Sequence, residues 1–225
     1  MIPIRDNLIT KRVPVVTFTL IGLNVLIYLW DRQGSILGTS LVFGDLAMRP
    51  VEVVQALQGG DRFALVSVFT AMFLHGNLLH LLGNLLYLFV FGPAVENAFG
   101  SWRYTLYYLF WGVVAAATHV FVEPSSDIPT LGASGAIGGV LGSYFLLFPA
   151  NKIEFVVPLI PYPFVISAWV LLGTWFLYQV FVRQEGVATW AHAGGFLAGM
   201  LTILIAGGRL RLLQGKDLEE NDDFD

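Results

Sequence analysis

Six apolar segments constrain the fold of this chain more than any other feature of its sequence. Each segment approaches the ~20 residues that a helix needs to cross a hydrocarbon core of about 30 Å. They lie at 14–30, 78–95, 102–122, 131–148, 160–182 and 190–206. Because 56% of the 225 residues are hydrophobic and only 12% are charged, lipid is the solvent that suits most of the surface. We therefore predict an all-α polytopic membrane protein with six transmembrane helices.

Helix-breaking residues separate these segments. Gly100 divides the second segment from the third, and a group of prolines divides the fourth from the fifth. These prolines are Pro149, Pro158, Pro161 and Pro163. We predict a cytoplasmic N-terminal segment at 1–13, a six-helix domain at 14–207 and a cytoplasmic acidic tail at 208–225. Six acidic residues lie within the last nine positions of the chain, and they predict that these nine residues are solvated and disordered.

The distribution of Lys and Arg predicts the orientation of the bundle. The residues on the side of the N-terminus are Arg5, Lys11, Arg12, Arg103, Lys152, Arg209, Arg211 and Lys216, and those on the other side are Arg32, Arg49, Arg62 and Arg183. Cytoplasmic loops carry the excess of Lys and Arg, so both termini are predicted to be cytoplasmic. The predicted location is a bacterial inner (plasma) membrane. The longest connection, at about 31–77, is predicted to be a structured loop at the outer interface.

Four polar side chains are predicted to meet at one depth in the membrane. The second, fourth and sixth segments run in the same direction, so residues near their N-terminal ends lie at the same level. These ends carry His80 and Asn84, then Ser134, then His192. Ionisable groups at such a depth are costly and tend to be functional.

Glycine spacing predicts that two of these helices touch. The glycines are Gly135 and Gly139 in the fourth segment and Gly195 and Gly199 in the sixth. Faces of small residues allow two membrane helices to approach until their backbones nearly meet. Ser134 and His192 each lie within one ~5.4 Å turn of such a glycine pair. A hydrogen bond between them is therefore expected, with the histidine as general base and later as general acid.

Each of these residues also has a purely structural interpretation. A serine within a membrane helix often bonds a backbone carbonyl, and glycine pairs often serve packing alone. A zinc site formed by His75, His80 and His192 is a further alternative. Neither an intramembrane carboxylate at that level nor a His-Glu-x-x-His motif accompanies these histidines. The joint placement of Ser134, His192, His80 and Asn84 favours catalysis, and no metal or other cofactor is predicted.

The remaining ionisable residues favour a dyad. Glu96 lies twelve residues beyond Asn84, about 18 Å deeper, where it is predicted to pair with or cap a helix end. Because no aspartate stands beside the imidazole, we predict a Ser-His dyad in contrast to a triad, with Asp127 as the alternative third member. His119 is predicted to be interfacial, without a catalytic role. The chain has no cysteine, and it has no basic stripe that would bind nucleic acid.

Three motifs together resemble the signature set of rhomboid intramembrane serine proteases. They are Gly132-Ala133-Ser134-Gly135, Ala191-His192 followed by Gly195 and Gly199, and His75 with His80 and Asn84. The motifs follow the family's order and span the second to the sixth helix. The resemblance implies a six-helix rhomboid core with Ser134 as nucleophile and His192 as general base and acid. It also implies that His80, Asn84 and the backbone N–H of Ser134 stabilise the oxyanion.

The resemblance implies further features around the dyad. Hydrolysis needs water, so the site is predicted to open to an outer cavity lined by His75 and its neighbours, for which a surface turn is the alternative. Trp175 and Phe176 resemble the bulky pair at the family's lateral gate, for which lipid-facing packing is the alternative. Two features of some family members are missing. Gly138 replaces an aromatic residue four positions after the nucleophile, and the Trp-Arg pair of the long first loop is absent.

These features together predict a rhomboid protease. Its predicted partners are the lipid bilayer and single-pass transmembrane proteins, which it cleaves within or next to their transmembrane helices. A catalytically silent rhomboid-like protein that binds membrane clients is one alternative, although the serine and the histidine are both present. A small-solute transporter is another, although inverted repeats with paired broken helices are not evident.

Overall fold

The computed structural model describes residues 2–10, 12–38, 41–157, 160, 162–184, 186–216 and 218–220. Its helices are α1 Val15–Arg32, α2 Pro50–Leu57, α3 Ala64–Thr70, α4 Leu78–Phe99, α5 Ser101–Val122, α6 Ser134–Leu147, α7 Ala168–Phe181, α8 Thr189–Ile205 and α9 Gly208–Leu213. Its strands are β1 Ile2–Asp6, β2 Leu8–Thr10, β3 Lys152–Val156, β4 Phe164–Ser167 and β5 Leu218–Glu220. Lys11, Pro158, Pro161, Asp217 and residues 221–225 lie outside the described residues. The predicted helical fold class is confirmed, with a small amount of sheet in addition.

Each predicted apolar segment overlaps one helix of the structure. Among the described residues, α1, α4 and α5 are long and apolar enough to cross a membrane. The helices α6, α7 and α8 are also apolar, with 14, 14 and 17 residues. α6 lies in the middle of the bundle, in contact with α4, α5, α7 and α8. The chain is an integral, multi-pass membrane protein.

The prediction that the fifth apolar segment is helical from residue 160 is wrong. α7 begins at Ala168, and the four residues before it form β4, which pairs antiparallel with β3. β3 also pairs with β1, in the order β1-β3-β4. The β-branched residues Val165 and Ile166 favour a strand, and β3 offers a pairing partner. β3 is itself held by β1 near the N-terminus, and a search for apolar helices does not detect such a distant partner.

The described part of the C-terminal tail is folded. Residues 208–213 form α9, and β5 pairs antiparallel with β2, with Leu8 opposite Glu220. The expectation of disorder for the last nine residues is therefore wrong for 218–220. That expectation was based on the local density of negative charge. Pairing of β5 with the N-terminal strand β2 satisfies backbone N–H and C=O groups that the tail alone could not satisfy.

The long connection between α1 and α4 is structured, as predicted, and contains α2 and α3. Two almost fully buried charged residues anchor it. The carboxylate of Asp31 accepts from the N–H of Phe43 at 2.9 Å, and the Arg32 guanidinium donates to the carbonyl of His75. Because His75 lies just before α4, the second bond fixes the start of the helix that carries His80.

Glu96 caps the N-terminus of α1 from a neighbouring helix. Pro14 at the start of α1 provides no side-chain cap. The Glu96 carboxylate instead accepts from the N–H groups of Val16 and Thr17 at 3.0 and 2.8 Å, and from the Thr17 hydroxyl at 2.9 Å. It also accepts from the Ser101 hydroxyl at 2.7 Å. The predicted capping role of Glu96 is confirmed, and these bonds join α1, α4 and α5.

Glycines bring α6 and α8 into backbone contact. A Cβ at Gly142, Gly195 or Gly199 would lie 1.9, 2.0 or 2.0 Å from a backbone carbonyl oxygen of the facing helix. Only glycine is compatible with such a spacing. The prediction that the glycine faces let these two helices touch is confirmed. This contact determines how the first turns of α6 and α8 lie relative to each other.

Candidate active site

Ser134 is the first residue of α6 and follows a turn that only glycine fits. Gly132 has a φ of +122°, and a Cβ there would lie 2.7 Å from Nε2 of His80. Ala133 is the N-cap residue and makes no side-chain capping bond. Because the first N–H groups of a helix have no acceptor within that helix, the N–H of Ser134 is available to an external acceptor.

A hydrogen bond joins Ser134 to His192. The serine Oγ lies 2.8 Å from Nε2 of the imidazole, and both residues are half-buried. His192 is in the first turn of α8, one turn before the glycine that touches α6. A neutral imidazole with Nε2 as acceptor can take the hydroxyl proton. The geometry thus suits activation of the serine as a nucleophile.

The second imidazole nitrogen contacts Gln179, a residue that the motifs do not predict. Nδ1 of His192 lies 2.8 Å from Oε1 of Gln179. Trp175, one turn earlier on α7, stacks on the same imidazole with ring centroids 5.9 Å apart and 28° between the planes. The sequence feature that could have revealed this contact is the amide side chain of Gln179, which stands in a largely apolar helix four residues after Trp175. That spacing places both side chains on one helix face.

His80 and Asn84 lie beside the turn that carries the serine. The hypothetical Cβ of Gly132 would be 2.7 Å from Nε2 of His80 and 3.5 Å from Nδ2 of Asn84. Nδ2 of Asn84 is buried and has no hydrogen-bond partner among the described residues. A buried donor of this kind calls for an acceptor that a ligand would supply. The structure therefore brings His80, Asn84, Ser134 and His192 together, while their roles stay predictions.

A cavity of about 1140 Å³ reaches the site. Its lining includes Ser134, His192 and His80, together with Glu123 and Arg183. The last two residues form an ion pair of 3.4 Å in which the Arg183 side chain is 84% exposed. Polar groups thus extend from a solvent-exposed rim to the serine. This arrangement agrees with the predicted entry of water, which stays a prediction.

His75 lies behind His80. It is 1% exposed, and the two rings meet edge to face with centroids 5.2 Å apart. Nδ1 of His75 lies 3.3 Å from the carbonyl of Phe73. His75 therefore supports the ring of His80, and its predicted place on the wall of the water cavity stays a prediction.

Phe176 and His119 are two further residues that the sequence singled out. Phe176 stacks on Phe196 of α8 with centroids 4.8 Å apart, and its gating role stays a prediction. His119 is buried near the end of α5 and lines the cavity, and its predicted place at the membrane interface stays a prediction. The loop after α5 hydrogen-bonds to the segment around Met48 and covers that helix end. Within the described part of the chain, no group of three or more His, Cys, Asp or Glu residues could hold a metal ion.

A family model for the rhomboid domain matches residues 62–209. This span is well over half of the chain and contains every residue of the site described above. The chain belongs to the rhomboid family. The family includes proteins that are named as proteases, and the expected rhomboid fold class is confirmed.

Relatives of this rhomboid occur in a plant, a bacterium and a yeast. RHOMBOID-like protein 4 of Arabidopsis thaliana is 31% identical over 176 residues, which are 76% of this chain and 40% of that protein. Rhomboid protease GluP of Bacillus subtilis is 33% identical over 141 residues, which are 62% of this chain and 26% of that protein. Rhomboid protein 1, mitochondrial, of Saccharomyces cerevisiae is 28% identical over 196 residues, which are 82% of this chain and 51% of that protein. The chain thus spans about half the length of these relatives or less.

Proposed function

We propose that this rhomboid is a serine endopeptidase that cleaves single-pass membrane proteins within or next to their transmembrane helices. The observation that carries the proposal is the 2.8 Å hydrogen bond between Ser134 Oγ and His192 Nε2, inside an apolar bundle. The Bacillus subtilis relative is named a rhomboid protease, which supports the same class of chemistry. The nucleophile is Ser134, and the general base and acid is His192.

The proposed reaction has two stages. The Ser134 hydroxyl gives its proton to Nε2 of His192 as Oγ attacks the substrate carbonyl carbon, which forms a tetrahedral oxyanion. The imidazolium then gives this proton to the leaving amine as the peptide C–N bond breaks. Water from the cavity gives a proton to Nε2 and attacks the acyl-enzyme. Collapse of the second oxyanion releases the carboxylic acid and returns the proton to Oγ.

Three donors are proposed to stabilise the oxyanion. They are the side chains of His80 and Asn84 and the backbone N–H of Ser134. The unpartnered Nδ2 of Asn84 beside the serine turn supports this assignment. Preorganised donors in a site of low dielectric act strongly on a developing charge, and removal of one typically costs about 10²- to 10³-fold in rate.

The substrate is proposed to enter from the lipid beside α7. An intact helix hides its carbonyl groups in its own hydrogen bonds, so the cleaved segment must unwind before Oγ can reach a carbonyl carbon. Trp175 and Phe176 on α7 are the proposed gate. Both contact Phe196 of α8, so outward movement of α7 would open the wall next to the dyad.

The finer topology is also a proposal. We place six membrane crossings within 14–207 and both termini, including the tail at 208–225, in the cytoplasm of a bacterium. Burial together with the positive charges of Arg12 and Arg103 lowers the pKa of Lys216. This clustering of three cations from separate parts of the chain supports a single basic, cytoplasmic end.

The test is cleavage of a model transmembrane substrate by the purified protein in liposomes. We expect Ser134→Ala and His192→Ala each to reduce the rate by at least about 10³-fold, since members of such a unit act together. Ser143→Ala is the matched control, because Ser143 is buried in the same helix and donates only to the Gly199 carbonyl at 3.3 Å. Its rate should stay within about twofold of wild type.

Two results would contradict the proposal. Activity that survives Ser134→Ala would remove the proposed nucleophile. Absence of cleavage by folded wild-type protein across a varied panel of transmembrane substrates would favour the client-binding alternative. Thermal unfolding of each variant in detergent separates a chemical loss from a folding loss.

A further inference from the structure

We propose that Gln179 is a positioning residue for His192. Its amide oxygen accepts the Nδ1–H of the imidazole and thereby keeps Nε2 as the acceptor that faces Ser134. The inference rests on the proposed function, because it assigns how the general base is held. In a Ser-His-Asp triad a carboxylate has this position, and here a neutral amide from α7 occupies it.

The orientation of the Gln179 amide follows from its second contact. The NH₂ group of Gln179 lies 3.5 Å from the backbone carbonyl of Trp175, one turn earlier in α7. A carbonyl only accepts, so the donor end of the amide faces Trp175 and the oxygen end faces His192. An amide oxygen also only accepts, so Nδ1 must carry a hydrogen. Since a neutral imidazole has one N–H, Nε2 is left with a free lone pair.

Close packing explains why this support comes from α7. Gly138 lies one turn after Ser134 on α6, and a Cβ there would be 2.7 Å from the backbone carbonyl of His192. An aromatic side chain therefore cannot fit on α6 at this position. Trp175 on α7 provides the ring that stacks on the imidazole, with centroids 5.9 Å apart. The same helix thus holds the face of the imidazole with Trp175 and its edge with Gln179.

The burial of Gln179 makes it unfavourable for its amide group to lack hydrogen-bond partners. Gln179 is 4% exposed and lies in a helix whose other side chains are almost all apolar. A polar group in such a place is costly unless it is hydrogen-bonded. Its amide group contacts one backbone carbonyl and the imidazole. The contact with the imidazole is the shorter one, at 2.8 Å.

Two substitutions separate positioning from packing. Gln179→Met keeps the length of the side chain but removes the acceptor, so the imidazole can adopt the other tautomer or rotate. We expect kcat to fall by about 10- to 100-fold with KM within about twofold of wild type, the size expected for an unsatisfied buried partner. Gln179→Glu keeps an acceptor at the same length. It should retain kcat within about fivefold and move the acid limb of the pH–rate profile to higher pH, because a carboxylate stabilises the imidazolium.

Gln58→Met is the matched control, since Gln58 is exposed at the end of α2 and does not line the cavity. It should leave kcat and KM within about twofold of wild type. A folded Gln179→Met protein with wild-type kcat would overturn the inference. Equal losses in the Met and Glu variants, both with wild-type melting temperatures, would also overturn it. Ser134→Ala and His192→Ala in the same assay report on the proposed function separately, since their loss of activity does not depend on Gln179.

Discussion

The contact between α6 and α8 controls the geometry of the dyad, and Gly195→Ala tests this dependence. A Cβ at position 195 would lie 2.0 Å from the carbonyl oxygen of Gly135. Carbon and carbonyl oxygen atoms normally come no closer than about 3.3 Å, so the helices must separate locally by about 1.3 Å. Ser134 adjoins Gly135, and His192 lies one turn before Gly195. The displacement therefore acts directly on a hydrogen bond of 2.8 Å.

We expect Gly195→Ala to reduce the rate at saturating substrate by about 100-fold or more, because a misplacement of about 1 Å has a cost of that order. Overpacking should also lower the free energy of unfolding by about 1–3 kcal/mol. The assays are cleavage in liposomes and thermal unfolding in detergent. Both should respond in the same variant, since both effects arise from one steric overlap.

Gly22→Ala is the matched control for this experiment. Gly22 is an interior residue of α1, and a Cβ there would meet nothing within 4 Å. The same change in chemistry should therefore leave activity unchanged and, through better helix propensity, leave stability equal or slightly higher. If Gly195→Ala is folded and cleaves at more than half the wild-type rate, the reasoning from backbone contact is wrong.

Two further predictions concern stability at the end of the bundle that carries the N-terminus. Burial raises the pKa of Asp6 from 3.8 to about 6, although the hydrogen bond from the Tyr144 hydroxyl acts in the opposite direction. The stabilisation that the protonated Asp6 carboxyl contributes is therefore complete below about pH 4 and is lost as the pH rises through about 6. Asp6→Asn should remove this pH dependence, so that the variant is as stable as wild type near pH 4 and more stable by at most about 3 kcal/mol at pH 8. Unfolding of both proteins at pH 4 and pH 8 measures this. The same difference in stability at both pH values would contradict the prediction. Glu96→Gln should lower the free energy of unfolding by about 3 kcal/mol, because two backbone N–H groups and two hydroxyls lose a charged acceptor. Glu52 has only a partly exposed ion pair with Arg49 at 3.6 Å, so the control Glu52→Gln should change this free energy by less than about 1 kcal/mol.

The helices and the dyad could be read from local patterns. An apolar run of a given length predicts a membrane helix without reference to the rest of the fold. Glycines four residues apart predict a face that another backbone can approach. Since Ser134 and His192 each adjoin such a face at the same predicted depth, a hydrogen bond between them was foreseeable, and the structure gives its length of 2.8 Å.

The sheet was not foreseeable in the same way. Residues 164–167 are as apolar as the helix that follows them, so hydropathy assigned both to one segment. Their strand conformation depends on pairing with β3, which in turn pairs with β1 at the other end of the chain. A partner so distant in sequence leaves no periodic signal.

The sequence by itself determined the helical membrane fold and the close approach of α6 and α8 at their glycines. Each of these depends on residue type and on spacing along one chain segment. Only the tertiary structure decided what holds His192. Its contacts with Gln179 and Trp175 depend on the rotation and position of α7 against α8, which the packing of Phe176 on Phe196 helps to set. Such a relation between two helices is a property of their shared surface, and neither helix encodes it alone.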